Sequence, residues 1–155
     1  MTEQWVIDAS VNAKVYLRDE EHTDLAQDLV GRYVAGSVEL IAPQFILYEV
    51  PSTILAAVRR RRLNVERGYE AVREFFNLQI PTIGDDLTLQ SMIGAAHRLA
   101  QDLGCKLYDA LYLAVALAFN HRFITADAKL YRSLSERVDH LVWIADYRPE
   151  TEASV

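Results

Sequence analysis

The chain has 155 residues, 51% hydrophobic and 25% charged, with a formal net charge of −6. This fits one globular domain with a sizeable core; no apolar run nears the roughly 20 residues of a membrane helix, and the one cysteine, Cys105, excludes an internal disulfide or a Cys-based zinc site. Three Lys against thirteen Arg within an acidic total exclude a broad basic nucleic-acid surface, so any such contact must be local.

In chain order, the start MTEQWVIDAS lacks a basic segment followed by an apolar one, so no secretory signal is read there and a cytoplasmic protein is expected. Gln4 to Ile7 reads as a buried strand ended by Asp8, and Val11 to Arg18 as a helix capped by Ser10 or Asp8. Thr23 to Ala35 carries Leu25, Leu29, Val30 and Tyr33 at helical spacing, and Val38 to Ala42 is a second strand. Pro43 is expected to open a helix reaching about Arg62, with Pro51 as an internal irregularity. Val65 to Asn77 is amphipathic, its stripe being Val65, Tyr69, Val72 and Phe76; Leu78 to Ile80 reads as a brief strand before Pro81. Asp86 to Leu103 predicts a long helix stopped by Gly104, and Tyr108 to Phe119 another, nearly all apolar. Arg122 to Thr125 is a strand, Ala128 to Leu134 a short helix and Leu141 to Ile144 a last strand. Residues 1–147 are expected to form the domain and 148–155 a polar tail. Short apolar strands alternating with helices indicate an α/β fold with a small central parallel sheet covered on both faces.

In open parallel sheets, sites form beyond the carboxyl ends of the strands. Asp8 follows the first strand, Asp127 follows RFIT, and Asp109 opens the helix leading into that strand. Taken singly, each aspartate sits near a helix start, where capping or the dipole would explain it. Glu49 is different, because Phe45, Ile46 and Val50 place it on or near an apolar stripe, where a charge needs a partner. If the four acids converge they repel: two carboxylates about 4 Å apart cost on the order of 4 kcal/mol at an effective dielectric of 20. A cation among them removes that cost, and oxygen-only ligands favour Mg²⁺ or Mn²⁺.

The segments VIDASV (6–11), APQFILYEV (42–50), LGCKLYDALYLAVAL (103–117) and FITADAKL (123–130) together resemble a PIN domain, and specifically the toxin ribonucleases of the VapC type. The resemblance implies a three-layer α/β/α fold and a metal-dependent endoribonuclease. It matches Asp8, Glu49 and Asp109 to the core acids, Asp127 to the fourth, and Ser10 and Thr125 to the accompanying hydroxyls. It further implies Mg²⁺ or Mn²⁺, an RNA substrate, a homodimer and a small antitoxin partner. One departure stands out. Pro51 and Ser52 follow Val50 where the family's helix runs on smoothly, and Pro51 removes an N–H within a turn of Glu49.

Other features read plainly. Arg59 to Arg62 is the one dense basic run, either an RNA or antitoxin contact or a solvated helix end. His22, His97, His121 and His140 share no helical metal-pair spacing, and Cys105 reads as a small half-buried residue. The competing functions are a phosphotransfer domain, which wants adjacent acids that VIDASV lacks, and a catalytically silent PIN-type protein- or RNA-binding module.

Overall fold

Trp5, Val6 and Ile7 are all buried, which a strand achieves only when both faces of its sheet are covered. The computed structural model describes residues 2–84 and 86–149, with backbone alone at 86–88; the expected tail falls largely outside them, from residue 150. The buried strand is β1 (Glu3–Ile7), followed by α1 (Ala9–Lys14), α2 (Thr23–Val34) and β2 (Val38–Pro43). Then come α3 (Ile46–Arg59), α4 (Val65–Asn77), β3 (Thr82–Ile83), α5 (Asp86–Leu103) and α6 (Leu107–Phe119). The chain continues through β4 (Arg122–Thr125), α7 (Ala128–Leu134) and β5 (Leu141–Trp143), closing with a 3-10 turn at Ile144–Asp146.

The strands form one sheet in the order β3-β2-β1-β4-β5, and every pairing is parallel. The α/β class with a central parallel sheet flanked by helices is therefore as expected. From β1 the chain steps outward through β2 to β3, then returns to the other side of β1 for β4 and β5. Right-handed crossovers place α1 to α4 on one face and α5 to α7 on the other. The reversal leaves a switch point between the carboxyl ends of β1 and β4, where such sheets hold ligands.

Several boundaries differ from the sequence reading, for local reasons. α1 ends at Lys14, and Tyr16 and Leu17 continue only as turns whose N–H groups bond the carbonyls three residues back. Pro43 closes β2 rather than opening a helix, and α3 starts at Ile46 and stops at Arg59, before Arg61 takes a left-handed φ of 59°. Pro51 lies inside α3, and the helix runs through it. Leu78 to Ile80 is not a strand: the Leu78 N–H bonds the Phe75 carbonyl, and Gln79 turns left-handed at φ 50°. The edge strand is instead Thr82–Ile83, beyond Pro81. α5 stops at Gly104, whose φ of +69° suits glycine.

α4 also presents an unexpected face inward. Its buried residues are Gly68, Ala71 and Phe75, while Val65, Tyr69 and Phe76 stay exposed. The cause is close packing on α3: a Cβ on Gly68 would lie 2.6 Å from Val58 Cγ2, so only the small-residue face admits that approach.

Candidate active site

The end of β1 is fixed by the main chain. Asp8 donates its N–H to the Ile124 carbonyl at 3.1 Å, extending the β1–β4 pairing by one residue and setting the carboxylate at the switch point. Asp8 occupies the N-cap position of α1, but its side chain makes no cap bond. Its Oδ2 accepts instead from Ser10 Oγ at 2.6 Å and Thr125 Oγ1 at 2.8 Å. Those hydroxyls are held in turn. The Ala126 N–H donates to Ser10 Oγ at 3.0 Å and the Asp127 N–H to Thr125 Oγ1 at 3.1 Å. With their protons on Asp8, Ser10 and Thr125 bracket Oδ2 and leave Oδ1 without a side-chain hydrogen bond among the described residues.

Glu49 lies in the first turn of α3. Its Oε1 accepts from the Tyr112 hydroxyl at 2.8 Å. Tyr112 is buried in α6, three residues beyond Asp109, with its ring stacked on Phe123 at 5.4 Å. The proline inside α3 therefore leaves Glu49 aimed at the site. Asp109, in the first turn of α6, accepts no hydrogen bond among the described residues. Asp127 does cap: its Oδ1 accepts from the Leu130 N–H at 3.0 Å, opening α7.

Asp8, Ser10, Glu49, Asp109 and Asp127 share the wall of one cavity of about 260 Å³, and buried Thr125 supports it from behind. The acids feel one another. Burial pushes the Asp8 carboxyl up to about 6; the Ser10 and Thr125 bonds pull it back, and the Asp109 and Asp127 charges raise it further. Burial pushes Glu49 up to about 7, against the Tyr112 bond and with the charges of Asp8 and Asp109. Asp109 is raised by burial and by Asp127, with Lys106 partly offsetting them.

This donor set fits a hard divalent cation: it is all oxygen and drawn from four segments, and burial raises the carboxyls of Asp8, Glu49 and Asp109 above their usual range, with neighbouring acids adding to it. Among the described residues, no three His, Cys, Asp or Glu side chains are already gathered into a set that could hold a metal ion. One oxygen each of Asp8, Glu49 and Asp127 accepts from a protein donor, which leaves the other carboxylate oxygen of each free of side-chain bonds among the described residues.

Sequence reasoning passed over two groups near the site. From the sequence alone Tyr112 is indistinguishable from a core or interface aromatic, and its one signal is a polar tip about one helical turn past Asp109. Lys14, at the end of α1, lines the same cavity. Of the basic run, Arg62 is tied to Asp19 at 2.8 and 2.9 Å and to Glu20 at 2.9 Å. Burial raises the Cys105 thiol above its ordinary range, with the Asp109 charge adding to it.

No helix among the described residues is long and apolar enough to cross a membrane. A family model described as PIN domain matches residues 5–133. No curated protein matches the chain. Among solved structures, the crystal structure of PAE2754 from Pyrobaculum aerophilum is similar in fold, with a TM-score of 0.65 and 16% sequence identity over 94% of this chain and 93% of that one.

Proposed function

Because the chain belongs to the PIN domain family, whose members are generally metal-dependent nucleases, we propose that it is a Mg²⁺- or Mn²⁺-dependent endoribonuclease of the VapC toxin type. The observation that carries this is the meeting of Asp8, Glu49, Asp109 and Asp127, from four separated segments, at one cavity on the switch point. Asp8, Asp109 and Asp127 would hold the cation, directly or through water, with Glu49 completing the shell or serving as base. The cation supplies Lewis acidity toward a phosphate oxygen and the attacking water, and it offsets the charge that builds on the phosphate. Ser10 and Thr125 fix the aim of Asp8. Glu49, held by the Tyr112 hydroxyl, would accept a proton from the attacking water in an in-line displacement in which the ribose oxygen on the far side of the phosphorus leaves. Tyr112 sets the direction of its carboxylate.

The functional unit spans 1–147, with 148–155 as a tail, and works in the cytoplasm. A small antitoxin protein covers the toxin, and the apolar groove between α3 and α4, lined by Leu55, Val65, Tyr69 and Val72, supports such a contact. A second copy of the chain completes a homodimer. The test is Mn²⁺-dependent cleavage of structured RNA by wild type beside Asp109→Asn. We expect cleavage that EDTA abolishes and that the variant lacks; cleavage persisting in either case refutes the reading.

A second reading is a catalytically silent PIN-type protein- or RNA-binding module. It requires that Asp109→Asn leave partner binding intact while wild type neither binds Mn²⁺ nor cuts RNA.

A further inference from the structure

The chain holds only three lysines, Lys14, Lys106 and Lys129. Lys14 lines the acidic cavity, where the other charged lining groups are five acids, including Glu20. An adjoining hollow shares Asp109 and Asp127 with that cavity, and its wall carries Lys106 and Lys129. Every lysine of an arginine-rich protein therefore stands at the edge of one acidic centre. The two sides also differ. Lys14 is half-buried and donates to Glu20 Oε2 at 3.0 Å, and the other oxygen of Glu20 accepts from Arg62 at 2.9 Å, so the ammonium is held in place. Lys106 and Lys129 are exposed and form no ion pair among the described residues.

Electrostatics explains why such a substrate would need them. An RNA strand approaching four carboxylates is repelled on both sides of the bond to be cut, and a cation at the centre answers only for the phosphate it touches. A lysine is a compact, strongly hydrated charge on a flexible stem, suited to a phosphate oxygen that need not be met in one fixed geometry.

We propose that Lys14 on one side and Lys106 with Lys129 on the other form a split phosphate-binding rim that grips the RNA backbone either side of the scissile phosphate. The inference rests on the reading of this site as a ribonuclease centre. The strand crosses the shared Asp109–Asp127 wall, with its scissile phosphate over the acids and its neighbouring phosphates on the lysines. Lys14 is positioned before the substrate arrives, whereas Lys106 and Lys129 close on it.

The test measures binding of a fluorescent single-stranded oligoribonucleotide in Ca²⁺ across roughly 50 to 200 mM salt. Exposed Lys106→Met with Lys129→Met serves as the main variant, because neither change disturbs a packed group. Each lost phosphate contact should lower the slope of log K against log salt by about 0.7, so the double variant loses about 1.4 and the triple variant with Lys14→Met about 2. Lys106→Arg with Lys129→Arg should restore binding, and Arg73→Met on the exposed face of α4 should leave the slope unchanged. Mn²⁺ affinity, read by calorimetry, should hold or tighten in the Lys→Met variants, since removing nearby positive charge favours a cation. Weaker RNA binding with undiminished Mn²⁺ binding supports the rim. An unchanged slope in the double variant, or an equal loss from Arg73→Met, overturns the rim while leaving the nuclease reading standing if wild type still cleaves. A wild type that neither binds nor cuts RNA overturns both.

Discussion

The burial of Asp8 makes the metal-free protein sensitive to pH in a direction opposite to that of most carboxylates. In the fold its carboxyl is pushed up to about 6 from an ordinary 3.8, chiefly by burial. A group with a raised folded pKa binds more protons in the native than in the unfolded state, so its stabilising effect is full below 3.8 and lost as pH rises through 6. The difference corresponds to about 3 kcal/mol in all, of which about 1 kcal/mol disappears between pH 5 and pH 8. For a chain of this size that is about 2 to 4 °C in Tm. Glu49, raised to about 7, adds in the same direction. Thermal unfolding in EDTA at the two pH values, for wild type and Asp8→Asn, measures it. Wild type should melt lower at pH 8, Asp8→Asn should lose part of that dependence while the larger share carried by Glu49 remains, and Mg²⁺ should restore the wild-type Tm more at pH 8 than at pH 5. A wild-type Tm that stays flat or rises with pH in EDTA refutes the account of a buried acid awaiting a cation.

Tyr112→Phe keeps the ring on Phe123 and deletes a hydroxyl that donates to Glu49 and accepts from the Ala9 N–H, so stability by urea titration should fall by about 1 to 3 kcal/mol while the cleavage rate falls further. Gly68→Ala forces a methyl against the stiff Val58 side chain at 2.6 Å and should cost about 1 to 3 kcal/mol in the same assay. Asn12 is fully buried, and its side-chain amide has no partner among the described residues; Asn12→Leu should therefore raise stability by about 1 to 3 kcal/mol, read as a higher urea midpoint.

Much of this architecture was legible because strongly periodic or wholly apolar segments carry their own instructions. β1 and β4 are runs no helix could expose, and α6 is so uniformly apolar that it had to be central. The edge strand was illegible for the complementary reason: Thr82 and Ile83 are half-buried and too few to show a pattern, while the more apolar Leu78 to Ile80 is a turn. On α4 the largest apolar residues suggested the wrong face, since close approach at Gly68 outweighs hydrophobic area there. At the site, the positions of Asp8 and Asp127 follow from strand ends. Tyr112 could not be separated from an ordinary core aromatic without seeing where its hydroxyl points. The lysines did leave a trace, each lying within six residues of a site acid, and it emerges only once those acids are known to meet.

The bond from the Asp8 amide to Ile124, and the hydroxyl of Thr125 on Asp8, join parts of the chain 117 residues apart in the latter case. A polypeptide still emerging from the ribosome can complete α1, α3 and even α6 without having β4 to lock its first acid. Such long-range closure comes late in folding. Synthesis itself thus imposes a delay before the first acid is locked, and a premature stop before β4 leaves Asp8 without the Ile124 carbonyl and the Thr125 hydroxyl that fix it.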